Sequence, residues 1–281
     1  MLPKLYLNHV FVVVGSEIFN ALKNSSYFMN TFANVEFKRN SAKGLGEWEA
    51  LYVRGKNTYI EIFEEFRGHK VGDYGFGFGT ESKGDLDKFY LALKSSYPKI
   101  TKGEFIQSIT EQTTVKNTKT EFKCFDYLLF SNICSDNSGR CISPWLMEYT
   151  EETFEIRDSI GQYEKDNVSR ARYNSKNWNP HAQLLDVTSL AVALEPEIID
   201  IFANIMQTLL GGNSKRSKGS DDPLFVGADF KLELRSKSPQ LLNFTIEMAL
   251  TKPITAEETH IFDNAKLTLK ENRAILSFVK K

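Results

Sequence analysis

Leu7-Asn8-His9-Val10-Phe11-Val12-Val13 is a run of apolar, largely β-branched residues carrying one histidine and closed by Gly15. It reads as a buried β-strand. Side chains alternate along a strand, so His9, Phe11 and Val13 share one face. A second stretch, Tyr59-Ile60-Glu61-Ile62-Phe63-Glu64, has the same character with a carboxylate inside it. Tyr59, Glu61 and Phe63 share a face there, and Ile60, Ile62 and Glu64 point the other way. Burying an unpaired charge is costly, so Glu61 calls for a cation, a hydrogen-bond donor or a metal.

Between these stretches, Ser16 is the expected N-cap of a helix that carries Ile18, Phe19 and Leu22 at helical spacing. That helix fades near Asn24–Ser26 or continues to Phe32. Strands follow at Val35–Arg39, Glu47–Val53 and Tyr59–Phe66, the last two joined by a turn at Arg54-Gly55-Lys56-Asn57. The order is strand, helix, strand, strand, strand. A second pass of the same kind starts with the glycine-rich strand Tyr74–Thr80. It continues through a helix marked by Leu86, Phe89, Tyr90 and Leu93, with strands at Phe105–Thr110, Cys124–Asn132 and Ile142–Tyr149.

Glu155–Pro180 is polar and aperiodic, as a connector would be. A third pass begins with a strand at Gln183–Leu194. Its helix starts at Pro196, carries Ile198, Phe202, Ile205, Met206 and Leu209, and stops at Gly211-Gly212. After a basic loop, Asn213–Pro223, strands are expected at Phe225–Leu234, Leu242–Leu250, Ala265–Lys270 and Arg273–Val279. The predicted fold class is α+β: tandem βαβββ modules forming a curved mixed sheet around a cleft, with a third related C-terminal module. Residues 1–155 hold the paired modules, 156–180 the connector and 181–281 the third module. A single irregular α+β domain is the alternative.

Composition narrows the function classes. The 281 residues are 41% hydrophobic and 25% charged, ordinary values for a globular chain. Lys and Arg total 35 against 36 Asp and Glu, a net charge of −1, so no global field draws nucleic acid or an anionic membrane. The apolar run Val10–Val14 falls far short of the ~20 residues of a membrane span. The opening also lacks the basic n-region and small-residue cleavage site of a signal peptide, so a cytoplasmic location is expected. Three cysteines are too few and too odd in number for a disulfide scaffold. Cys134 and Cys141 flank a turn-forming segment and read as reduced thiols on either side of a hairpin.

Leu7–Val13, the helix after it and Tyr59–Glu64 together resemble a vicinal-oxygen-chelate module, as found in glyoxalase I, bleomycin-resistance proteins and extradiol dioxygenases. The resemblance implies two βαβββ modules paired into a cup around a divalent metal, with ligands on the first and last strands of each. Residue by residue, His9 matches the first-strand ligand and Glu61 the fourth-strand ligand. Glu148, in Trp145-Leu146-Met147-Glu148-Tyr149, matches the last-strand carboxylate of the second module. Where that module's first strand would carry a histidine, this chain has Tyr74 or Gly75. The implied site is therefore His9, Glu61 and Glu148, holding Zn, Ni, Fe or Mn with water in the open positions. The implied activity is that of a divalent-metal-dependent lyase, isomerase or dioxygenase on a small oxygenated molecule, the metal acting as a Lewis acid. The alternative is a non-catalytic protein that binds or sequesters a small ligand in the same cup; a purely structural or interaction role is a third. Internal duplication lets a monomer complete its own cup, and a homodimer is also compatible.

Plainer readings stand beside each residue. His9 suits a hydrogen-bonded core histidine, and Glu61 a buried ion pair with Arg54 or Lys38. Glu148 sits with Trp145 and Tyr149, which could form the packing side of an edge strand. Asp186 and Glu247 are read as hydrogen-bonded carboxylates at a strand edge in preference to a degenerate second site. Gly75-Phe76-Gly77-Phe78-Gly79 lies within a strand and lacks the third glycine of a dinucleotide loop, so close approach of another strand or a ligand is its expected role. His69 falls in a turn and reads as solvated, His260 reads as surface, and His181 is placed to fold over the pocket. The aromatics between Ala171 and Trp178 suit either a lid or an anchor for the connector.

Overall fold

The opening run forms β1 (Tyr6–Val13), buried from Leu7 onward. The computed structural model describes residues 2–42, 46–66, 68–97, 99–112, 117–130, 142–157, 167–174, 176–212, 214–216, 222–236 and 244–278. After β1 come α1 (Ser16–Lys23), a π-helical turn (Tyr27–Phe32), β2 (Asn34–Ala42), β3 (Gly46–Arg54) and β4 (Tyr59–Phe63). The second half of the same sheet comprises β5 (Tyr74–Gly79), α2 (Asp85–Lys94), β6 (Ile100–Gln112), β7 (Asn117–Phe130) and β8 (Ile142–Tyr149). Two short helices, α3 (Glu151–Arg157) and α4 (Arg170–Asn174), precede the C-terminal part. That part contains β9 (Leu184–Leu194), α5 (Pro196–Leu209), β10 (Ser214–Arg216), β11 (Pro223–Val226), β12 (Lys231–Ser236), β13 (Phe244–Leu250), β14 (Glu258–Phe262), β15 (Ala265–Lys270) and β16 (Arg273–Phe278).

The protein is a mixed α+β structure with two sheets. Strands β1 to β8 close a barrel in the order β1-β4-β3-β2-β6-β7-β8-β5. The helical crossovers make β1 parallel to β4 and β5 parallel to β8, and β1 and β5 pair antiparallel between them. On the far side β2 and β6 share one residue pair, Ala42 with Gln107, the barrel's shortest seam. The second sheet runs β10-β11-β12-β9-β13-β16-β15-β14. The main core lies outside the barrel. It joins Val10, Val12, Phe76 and Phe78 to Leu190, Val192, Phe202 and Ile246 of the C-terminal part. Among the described residues, no helix is long and apolar enough to cross a membrane.

Strand β5 is the joint between the two sheets. Its even-numbered aromatic residues face outward: Phe76 packs on Phe202 and Phe78 on Phe230, at ring separations of 5.7 and 5.0 Å, and Tyr74 stacks on Phe244 at 4.6 Å. Its glycines face inward and leave room for other side chains. A Cβ on Gly77 would stand 2.9 Å from His9 Cε1 and 3.0 Å from the Trp145 indole, and one on Gly75 would strike Phe11 and the Ser143 carbonyl. What approaches closely at these glycines is thus a set of side chains from β1 and β8 together with the β8 backbone at Ser143.

Several boundaries differ from the sequence expectation. Gly15, not Ser16, is the N-cap of α1, and the π-helical turn replaces a continuation to Phe32. The fourth strand ends at Phe63, while β6 and β7 form a longer hairpin than hydropathy suggests. Much of that hairpin is paired to one neighbour only, so backbone hydrogen bonding and not burial extends it. The stretch Phe225–Leu234 divides into β11 and β12, and the sheet gains an unexpected edge strand, β14, exposed at alternate residues and so weak in hydropathy. The third module is therefore larger than one βαβββ unit: β9-α5-β10-β11-β12 is followed by four further strands. Cys134 and Cys141 lie outside the described residues.

Asp186 ties the β3–β4 turn to the second sheet. One carboxylate oxygen accepts from the Asn57 amide (2.7 Å), the Thr58 amide (2.9 Å) and the Thr58 hydroxyl (3.0 Å), and the other accepts from Asn57 Nδ2 (2.8 Å). Lys56 N donates to the Leu185 carbonyl at 2.7 Å. Asp186 lies on β9, an inner strand, so the hydrogen-bonded reading stands although the edge position does not. Replacing Asp186 with Ala strands four donors and is expected to cost about 2–4 kcal/mol. Thermal unfolding should show a drop of several degrees, and hydrogen exchange should speed up at the Asn57 and Thr58 amides.

Candidate functional site

The barrel's inner face lines a cavity of about 410 Å³ that opens to solvent and whose wall is mostly aromatic. His9 and Phe11 enter from β1, Tyr59, Glu61 and Phe63 from β4, Tyr52 and Arg54 from β3, and Trp145 from β8. The alternation in the two opening stretches produces this arrangement: β1 and β4 run side by side with His9 paired to Tyr59 and Phe11 to Glu61. His9 and Glu61 thus both line the cavity, as the strand pattern suggests.

His9 is held in a buried polar chain. Its Nδ1 lies 3.0 Å from Asn8 Oδ1, which also accepts from the Tyr149 hydroxyl at 3.1 Å. With the amide oxygen as acceptor, the imidazole proton sits on Nδ1 and Nε2 keeps its lone pair. A register shift in the β1–β5 ladder between Leu7 and His9 accommodates Asn8. The ring stacks on Tyr59 at 4.7 Å and meets Trp145 edge-on at 4.9 Å. Burial pushes its pKa down to about 3, with the Arg54 charge acting in the same direction.

Glu61 is pushed the other way. Removal from water raises its carboxyl to about 7, against the pull of Arg54 and a hydrogen bond with Tyr52. Tyr52, Tyr59 and Tyr149 are all held well above 10 by burial and remain protonated donors. Arg54 is 2% exposed; its Nε lies 2.9 Å from a Glu36 carboxylate oxygen and its guanidinium sits over the rings of Tyr52 and Tyr59. Lys38 also pairs with Glu36, at 3.1 Å. The ion pairs expected to neutralise Glu61 are therefore made to Glu36.

Glu148 is the correction. On β8, Ser143 and Trp145 line the cavity, so Glu148 stands on the opposite face. Its carboxylate accepts from the amides of Gly84 (2.8 Å) and Leu86 (2.9 Å) and from the Thr80 hydroxyl (3.2 Å). Gly84, the N-cap of α2, has no side chain to cap with, and Glu148 does so from the sheet. The set His9, Glu61 and Glu148 is not assembled, and among the described residues no group of three or more His, Cys, Asp or Glu side chains could hold a metal ion. The residues do not fit the expected three-ligand centre for Zn, Ni, Fe or Mn.

Other positions resolve individually. His69 lines the cavity beside Phe66, Phe63 and Phe11 and is not simply a solvated turn residue. The sequence signal for it was Phe66 three residues earlier, with which it forms an isolated bridge. His181 is exposed and does not reach the cavity. His260 stacks on Tyr27 at 3.8 Å. The connector supplies both a wall and an anchor: Tyr173 lines the cavity and stacks on Tyr149 at 4.3 Å, while Trp178 Nε1 donates to the Leu184 carbonyl at 3.2 Å.

Two outcomes follow from these positions. Glu148→Ala should lower stability by about 1–2 kcal/mol through loss of the α2 cap, and leave any metal content of the purified protein unchanged by elemental analysis. The second concerns pH. Glu61 keeps its proton in the folded state up to about 7, whereas the unfolded chain releases it near 4.5. The stability tied to the protonated form is complete below the unfolded value and is lost as pH rises through about 7. The thermal midpoint of Glu61→Gln should therefore gain on the wild type between about pH 5 and 8. His9 works in the opposite sense: the stability of its neutral form is complete above 6.5 and is lost as pH falls toward about 3.

Among solved structures, one titled "Crystal Structure of a hypothetical protein from Staphylococcus aureus" is similar in fold, with a TM-score of 0.53 and 10% identity over 92% of this chain and 95% of that one. No curated protein matches the chain. A family profile described as a family of unknown function (DUF5829) matches residues 7–278, nearly the whole sequence, and the chain belongs to that family.

Proposed function

We propose that the barrel is a glyoxalase-like cup of two paired βαβββ modules whose function is to bind a small, largely apolar molecule without a three-ligand metal centre. The observation that carries this reading is the open cavity of about 410 Å³, aromatic over most of its wall with polar groups set between the rings. Small-molecule sites have this size and this composition. The module reading is supported by the element order β1-α1-β2-β3-β4 and β5-α2-β6-β7-β8, with the first strand parallel to the last in each half. One chain closes the barrel, so the cavity does not depend on a second copy. A second reading, proton transfer on the bound molecule, is favoured by Glu61, whose proton exchanges near neutrality inside the cavity.

Trp48 and Trp145 both line the cavity and serve as reporters. Titration with 1-naphthol, a flat molecule small enough for this space, should quench tryptophan emission saturably with one molecule bound per chain. The filled-cavity variant Ser143→Trp should abolish saturation. Linear quenching, or equal binding by the filled variant, would remove the basis for this reading.

A further inference from the structure

Among the described residues that line the cavity, Glu61 is the only carboxylate. The charged and titratable groups around it come from every neighbouring strand. On β3, Arg54 is matched by Glu36 of β2, at 2.9 Å, and Tyr52 stays protonated. On β2, Lys38 is bound to the same Glu36 and its side chain is 40% exposed, so water screens it. On β1, His9 is neutral near pH 7, and Tyr59 on β4 keeps its proton. His69 stands 4.0 Å from Asp73 and is held below its ordinary range by burial. Arg54 attracts Glu61 but is ion-paired to Glu36, and Tyr52 gives Glu61 a hydrogen bond, so the carboxylate has no ion-pair partner of its own among these groups.

Most of the remaining cavity wall is aromatic. Phe11 pairs with Glu61 across the β1–β4 ladder, Phe63 lies two residues along the same face, and their rings stack at 5.4 Å. Trp145 stacks on Phe11 at 5.8 Å. Ring faces carry negative potential, which disfavours an anion and attracts a cation. A carboxylate in a wall built of such rings favours positive charge over negative.

We infer that the cavity selects a small organic cation, a protonated amine or quaternary ammonium, with its charge against Glu61 and its body against Phe11, Phe63 and Trp145. This rests on the reading of the barrel as a small-molecule site. An anionic ligand would meet the same carboxylate and ring faces, with Arg54 already engaged by Glu36.

The test compares phenyltrimethylammonium with its uncharged isostere tert-butylbenzene, by calorimetry or tryptophan quenching at pH 8. The cation should bind about tenfold more tightly. Glu61→Gln should weaken the cation about tenfold and leave the neutral probe unchanged. Because the probe's charge is fixed, wild-type affinity should rise between about pH 5.5 and 8 as Glu61 ionises, and the Glu61→Gln profile should be flat. Equal affinity for the two probes, or a cation affinity indifferent to Glu61→Gln, overturns cation selection while the binding cavity stands. Saturable binding by neither probe overturns both.

Discussion

The missing side chains on the inner face of β5 are the constraint on which the rest of the structure depends. Gly75 and Gly77 leave no space for a Cβ, because Phe11, His9, Trp145 and the Ser143 carbonyl already occupy it. The intervening Phe76 and Phe78 are fully buried on the other face, against the C-terminal part. One strand thus serves two packing problems at once: large side chains outward, where two sheets must be joined, and none inward, where rings from neighbouring strands converge. Close-packed interiors tolerate little change in volume, so each side restricts what the other can be.

The cavity wall is also fastened to the C-terminal sheet through polar contacts. Arg54, in the wall, donates to Asn174 Oδ1 at 3.4 Å, and Asn174 Nδ2 donates to the Asn57 carbonyl at 2.9 Å. Asn57 in turn is held by Asp186 on β9. A second tie runs through buried Arg170, which pairs with Glu81 at 2.7 Å and Asp229 at 2.5 Å and also donates to the Leu7 carbonyl. The polar connector is therefore structural: its short α4 helix carries residues that bridge barrel and second sheet. Buried charges of this kind are tolerated because each finds a partner in fixed geometry.

Strand alternation made much of the fold legible. Val10, Val12 and the Ile60–Ile62 pair announce one buried face, and His9 and Glu61 share the other, which proved to be the cavity wall. Pro196 and Gly211-Gly212 bracket α5, where the two glycines take positive φ values of 62° and 83°. Less legible were the extents of β6 and β7, which depend on pairing with each other, and β14, a short edge strand exposed at alternate residues whose hydropathy signal is weak.

By itself the sequence determined most of the strands, the helix faces and the face of its own strand on which His9 and Glu61 each lie, because these follow from local periodicity and steric preference. Tertiary structure alone decided which faces meet. It turned Glu148 away from the cavity to cap α2, a task that arises only because Gly84 at that helix start offers no side chain. It also gave Arg54 and Lys38 to Glu36, leaving Glu61 with Tyr52 among aromatic walls. A carboxylate's partner is set by distances across the sheet between residues far apart in the chain, and such distances have no periodicity to read.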